Sequence, residues 1–116
     1  MDYHCESRVA NFYGDFEAAL RRYSDRFRLI AAKGHISTYM FFQREGEDSY
    51  LFHAVHGGTL PLGQGHNTEF TIGGPREERV KELMAGFEER LMMETREDPS
   101  VNYQNAQLMK VLFENR

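Results

Sequence analysis

The spacing of apolar residues along this chain changes character several times. Phe16, Leu20, Tyr23, Phe27 and Ile30 recur at intervals of four, three, four and three, which places them in one stripe of a helix. The spacing predicts a first helix from about Gly14 to Lys33, with Asp15 as cap or first-turn acid and Gly34 as its stop. Arg21, Arg22, Asp25 and Arg28 fall off the stripe and read as a solvated face.

From His35 the period drops to two. In His35 to Arg44, one face carries Ile36, Thr38, Met40 and Phe42, and the other His35, Ser37, Tyr39 and Phe41. Bulk on both faces suits a central strand. Glu45 to Asp48 is a polar turn, and Ser49 to His56 returns as a second strand. There Tyr50, Phe52, Ala54 and His56 share a face opposite Leu51, His53 and Val55. A glycine-rich loop follows from Gly57 to His66, then a third strand from Asn67 to Ile72.

Gly73, Gly74 and Pro75 break that strand and open a second helix, whose early Glu77 and Glu78 suit the positive end of its dipole. Val80, Met84, Phe87 and Leu91 are its apolar stripe, and it runs to about Thr95. Asp98 and Pro99 cap a last helix reaching Glu114. The apolar surface of that helix is wide: Val101, Leu108, Val111 and Leu112 on one side, Ala106, Met109 and Phe113 on another. The expected fold is α+β, in the order α-β-β-β-α-α: a three-stranded antiparallel meander with its helices on one face. Residues 1–116 form a single domain in this reading.

Composition narrows the function classes. With 14 cations against 18 acids the net charge is −4, which argues against broad nucleic-acid binding. Eleven of the 14 cations are Arg, the side chain suited to bidentate grip on carboxylate or phosphate. Cys5 is the only cysteine and has no intrachain partner, so a reducing, cytoplasmic setting is expected. No signal peptide or apolar run of about 18–20 residues points to a membrane.

Candidate chemistry concentrates between His53 and Gly74, with three of the five histidines and six of the ten glycines. His53, His56 and His66 form a candidate metal set resembling a three-histidine zinc site. Strand parity works against it, because side chains three apart on a strand point to opposite faces. Gly57, Gly58 and Gly65, with His56 and His66, form a candidate ligand loop. That loop holds no cation between Gly57 and His66, so Arg44 or Arg76 would have to supply charge to an anion. No GxSxG, HExxH, CxxC or P-loop signature is present, and no cofactor is implied.

A protein-contact surface is the remaining class. Met92, Met93, Tyr103, Met109 and Phe113 are its candidate residues, since interfaces favour aromatics, Met and Arg. The opening α-β-β-β-α order matches a double-stranded-RNA-binding domain, but such domains carry a Lys-rich start to the second helix, and here that segment is PREERVKEL. The acidic α-β-β-β-α-α arrangement also resembles that of some small phage anti-CRISPR proteins. That resemblance implies action by binding a host complex. The sequence therefore leads to a non-catalytic binding protein, an inhibitor or accessory factor, dimeric through its C-terminal helix. A small-ligand or nucleotide binder using loop 57–66 comes second, and a histidine-based metal-dependent enzyme third.

Overall fold

The structure, a computed structural model, describes residues 3–12, 15–59, 66–91 and 95–115, with backbone alone at 58, 59, 66, 67 and 100. The elements are β1 (His4–Phe12), α1 (Phe16–Tyr23), β2 (Arg28–Lys33), β3 (Ile36–Glu45), β4 (Asp48–Thr59), β5 (His66–Gly74), α2 (Glu77–Leu91), β6 (Thr95–Arg96) and α3 (Pro99–Glu114). The fold is α+β, with one six-stranded antiparallel sheet ordered β2-β3-β4-β5-β1-β6. No helix among the described residues is long and apolar enough to cross a membrane.

The predicted meander is present as β3, β4 and β5, with a two-residue turn at Gly46 and Glu47 and alternation on both strands as read from sequence. Three further strands correct the expected count. β1 lies in the sheet interior between β5 and β6, although Glu6 and Arg8 interrupt its apolar alternation. Arg8 is tolerated there because Glu6, Glu88 and Glu97 approach its guanidinium at 3.1, 3.5 and 3.3 Å.

The long first helix is also corrected. Asp15 does cap it, its side chain accepting from the Ala18 N–H at 3.0 Å. But α1 ends at Tyr23, where Ser24 turns extended and its Oγ accepts from the Arg26 N–H at 3.1 Å. Residues 28–33 form an edge strand instead, and Gly34, at φ 62°, turns the β2–β3 hairpin rather than stopping a helix. Phe27 keeps its place in the core from either conformation, which is why the 3.6-residue stripe reads through the helix end. With β1 and β2 added, the element order on which both family resemblances rested no longer applies.

The helices occupy both faces of the sheet, not one. Beneath α1 and α2 lies an aromatic core: Phe27 and Phe41 rings at 4.5 Å, Phe41 and Phe52 stacked at 4.5 Å, Phe70 and Phe87 at 5.0 Å. Tyr39, Tyr50, Leu20, Ile72, Val80 and Met84 complete it. On the opposite face, α3 buries Met109 and Phe113 against Leu51, with Tyr3, Cys5, Met40, Phe42 and Leu112 around them. Asp98 caps α3 as expected, its carboxylate accepting from the Val101 N–H at 3.3 Å.

The rest of the α3 interface is polar. Asn102 Oδ1 accepts from the Ser7 N–H at 3.0 Å, the Ser7 and Thr71 hydroxyls bond at 2.9 Å, and Asn105 Nδ2 donates to Glu69 at 3.4 Å. His53 is buried on this same face, and desolvation holds its imidazole below the usual range.

Candidate functional site

The candidate loop resolves into structural roles wherever it is described. Gly57 and Gly58 are strand residues of β4, and His66 opens β5 opposite Phe12 and Thr59. Gly57 has φ 152°, and a Cβ there would collide with the His35 carbonyl. Its glycine is therefore required by the close approach of two backbones. Gly73 and Gly74 clear space for two tyrosines on opposite faces, since a Cβ would strike Tyr3 in the first case and the Tyr50 ring in the second. Gly65 lies outside the described residues.

His56 packs its ring on Phe16, with centroids 4.5 Å apart at 17°, and its Nδ1 bonds the Thr68 hydroxyl at 2.9 Å. It thus points to the α1 face, whereas His53 lies under α3. The two do not converge on one ion, as β parity requires. No cluster of three or more metal-ligating side chains occurs among the described residues.

The charge assigned to that loop also lies elsewhere. Arg44 pairs across to Ser49 at the start of β4, and Arg76 bonds Asp48 at 2.7 Å. Gly57 is nine residues further along the strand, about 30 Å at ~3.3 Å per residue. Both arginines are therefore remote from Gly57, the last residue of that segment whose surroundings are described.

Of the proposed contact residues, Met92 and Met93 lie outside the described residues. Met109 and Phe113 are corrected from surface to core: they are 0% and 5% exposed, because the stripe they share is the one α3 turns to the sheet. Tyr103 is on the outside at 69% exposure, joined there by Val111 at 55% and Leu108 at 45%. Cys5 is an ordinary half-buried thiol. Burial pushes its pKa up to about 11, against a smaller opposing effect of the Ser7 hydrogen bond, and a thiol so placed is a poor nucleophile.

The structure brings together a different constellation at the other end of the sheet. β2 pairs with β3 no further than Arg28 opposite Met40, while β4 follows β3 to Glu45. Residues 41–45 therefore have a strand neighbour on one side only. No backbone hydrogen bond from another described element reaches the open side. Two hollows flank this edge and share Arg26 and Phe41. One, about 510 Å3, is lined also by Asp25, Arg28, Ile30, Met40 and Phe42; the other, about 370 Å3, by Tyr23, Ser24, Gln43, Arg44, Glu45 and Arg90.

The second hollow is cationic. Arg26, Arg44 and Arg90 have no carboxylate partner among the described residues; Arg44 donates to the Gly46 carbonyl at 3.0 Å, and Arg90 lies 5.3 Å over the Tyr23 ring. The one acid of the lining, Glu45, is already gripped by both forks of Arg79 at 2.7 and 2.8 Å. The Arg79 hydrogen bonds hold its carboxyl below the usual range against partial burial. Sequence reading singled out Arg44 alone, because Arg26 and Arg90 reach it from a turn and a distant helix.

The arrangement can bind negative charge beside an open strand edge. Its residues hold no nucleophile–base pair. Comparison of the chain with protein-family models, with curated proteins and with solved structures finds no match in any of the three.

Proposed function

We propose that this chain is a non-catalytic, cytoplasmic binding protein of one domain that acts through protein–protein contact, as an inhibitor or accessory factor does. The observation that carries this reading is the outer flank of α3. Tyr103, Leu108 and Val111 are all exposed there, on a helix whose inner stripe is already satisfied by the sheet. Large apolar side chains grouped on one outer face are a feature of contact surfaces.

The occupant that fits best is a second copy of the chain. Two antiparallel α3 helices related by a two-fold axis would cover both flanks at once, since such an interface is self-complementary. Gln104 and Gln107, interleaved on the same flank, carry no charge to repel a twin. The metal-dependent alternative is weakened by the opposed faces of His53 and His56. The small-ligand alternative at 57–66 is weakened by the distance of its arginines.

Light scattering on size-separated protein is the test. A dimer is expected for the natural chain and a monomer for Leu108→Glu with Val111→Glu, with circular dichroism unchanged. A natural chain that stays monomeric up to about 1 mM, where association of even ~4 kcal/mol shows, removes the self-association reading.

A further inference from the structure

We propose that the open part of the sheet on the α3 side, over β2, β3 and β4, seats an amphipathic helix of a partner protein, one with an apolar stripe and acidic flanks. This rests on the reading of the chain as a binding protein but uses a surface separate from the outer flank of α3.

α3 covers only part of its side of the sheet. It packs along β1 and β5, and its C-terminal end alone reaches β4 and β3, where Met109 and Phe113 join Leu51 and Phe42. Side chains two apart on a strand share a face, so Ile36, Thr38, Met40 and Phe42 form one row of β3 on that side. Cross-strand partners share a face too, which places Val55 of β4 and Ala31 of β2 on either side of Thr38. Ile30, at the bulge of β2, lines a hollow with Met40 and Phe42. Ile30 and Ile36 are 45% and 48% exposed, and Thr38, Met40 and Val55 are only half-buried.

This floor is one helix wide. Three adjacent strands span about 10 Å between their outer axes, and a helix with its side chains is about 10–12 Å across. Its rim is cationic. By the same register Arg28, opposite Met40, and Lys33, opposite Ile36, lie along the β2 side, and Arg44 follows Phe42 at the end of the row; Arg26 lines the adjoining hollow. None of the four has a carboxylate partner among the described residues, in a chain whose net charge is −4. Two acids lie near: Asp25 in that hollow, and Glu69 beside Val55, which Asn105 already engages. An apolar floor bounded by arginines suits an apolar stripe bounded by carboxylates. A second copy of α3 suits it less, since that helix carries Lys110 and a single acid, Glu114, at its last position.

A fluorescein-labelled peptide of about five helical turns, with Leu along one stripe and Glu on both flanks, tests this by polarisation and circular dichroism. Saturable binding with a gain of helix is expected. Ile36→Glu should abolish it, and Arg28→Glu with Lys33→Glu should weaken it about tenfold or more. All three side chains are exposed, and changes at such positions leave folding intact. A peptide of the same residues scrambled out of the stripe, or with Lys in place of Glu, should not bind. Val111→Glu should leave peptide binding unchanged, and Ile36→Glu should leave the oligomeric state unchanged in light scattering, so failure here and failure of self-association at α3 are read separately. Equal binding of the scrambled or Lys peptide, or displacement by tripolyphosphate as effective as by unlabelled peptide, would overturn helix docking. So would the absence of saturation. A monomeric Ile36→Glu beside a dimeric natural chain would overturn it as well, by assigning the floor to a second copy.

Discussion

The two faces of the sheet are built on different principles. Under α1 and α2 the core is aromatic and layered: Phe27, Phe41, Phe52, Phe70 and Phe87 contact one another in a continuous group. Under α3 the apolar part is small, centred on Leu51, Met109 and Phe113. The rest is held by Ser7, Thr71, Asn102, Asn105 and Glu69, with a buried imidazole at His53. An apolar interface gains free energy in proportion to the area removed from water. A polar one gains little per hydrogen bond and loses heavily when a partner is removed. The first face is therefore expected to carry more of the stability of the fold, and the second to open first.

The largest expected break in this contrast is Phe87→Ala, which removes a ring packed against Tyr23, Phe52 and Phe70. A loss of about 3–5 kcal/mol is expected, read by urea denaturation. Met109→Ala on the other face should cost about 2–3 kcal/mol, at the low end for such truncations. Its hydrogen exchange should rise in α3 while amides of α1 and α2 stay protected. Uniform loss of protection across the molecule would show that the faces are not separable.

The imidazole at His53 sharpens the contrast through pH. Burial lowers its pKa below the ordinary 6.5, so the folded chain binds fewer protons than the unfolded one below about that pH. Stability is full above the unfolded value and is lost as pH falls toward the folded one. Denaturation of the natural chain between about pH 7.5 and 5.5 should show this loss, and His53→Leu should flatten it. Glu45 contributes only at lower pH: its depressed carboxyl gives stability present above the unfolded value of 4.5 and lost as pH falls through the folded one. An unchanged slope in His53→Leu would assign the effect to another group.

The smallest expected effect is a gain. The Tyr3 hydroxyl is buried without a hydrogen-bond partner among the described residues, and burial raises its pKa. Removing an unsatisfied polar atom relieves desolvation, so Tyr3→Phe should stabilise the fold by about 1 kcal/mol or leave it unchanged. A loss beyond ~1 kcal/mol in thermal or urea unfolding would mean that the hydroxyl is engaged.

The legible and illegible parts of the sequence divide along the same line. The β3–β4–β5 meander, the span of α2 and the Asp98 cap could be read because each is encoded by neighbours: period-two alternation, a polar turn, a capping acid. β1 could not, since Glu6 and Arg8 leave it without an apolar run, and their acceptance depends on Glu88 and Glu97 far along the chain. The end of α1 was hidden because Phe27 serves the core from a turn as well as it would from a helix. The glycines near His53 to Gly74 drew attention as a ligand loop. Yet Gly57, Gly73 and Gly74 answer to His35, Tyr3 and Tyr50, contacts that no local pattern carries.

By itself the sequence determined the α+β class, the acidic balance, the face that each residue of β3 and β4 occupies, and the parity that separates His53 from His56. These follow from covalent geometry and local periodicity. Only the tertiary structure decided that α3 crosses to the opposite face and that Met109 and Phe113 are core. It alone brought Arg26, Arg44 and Arg90 together beside an open strand edge, because long-range packing sets which distant residues become neighbours.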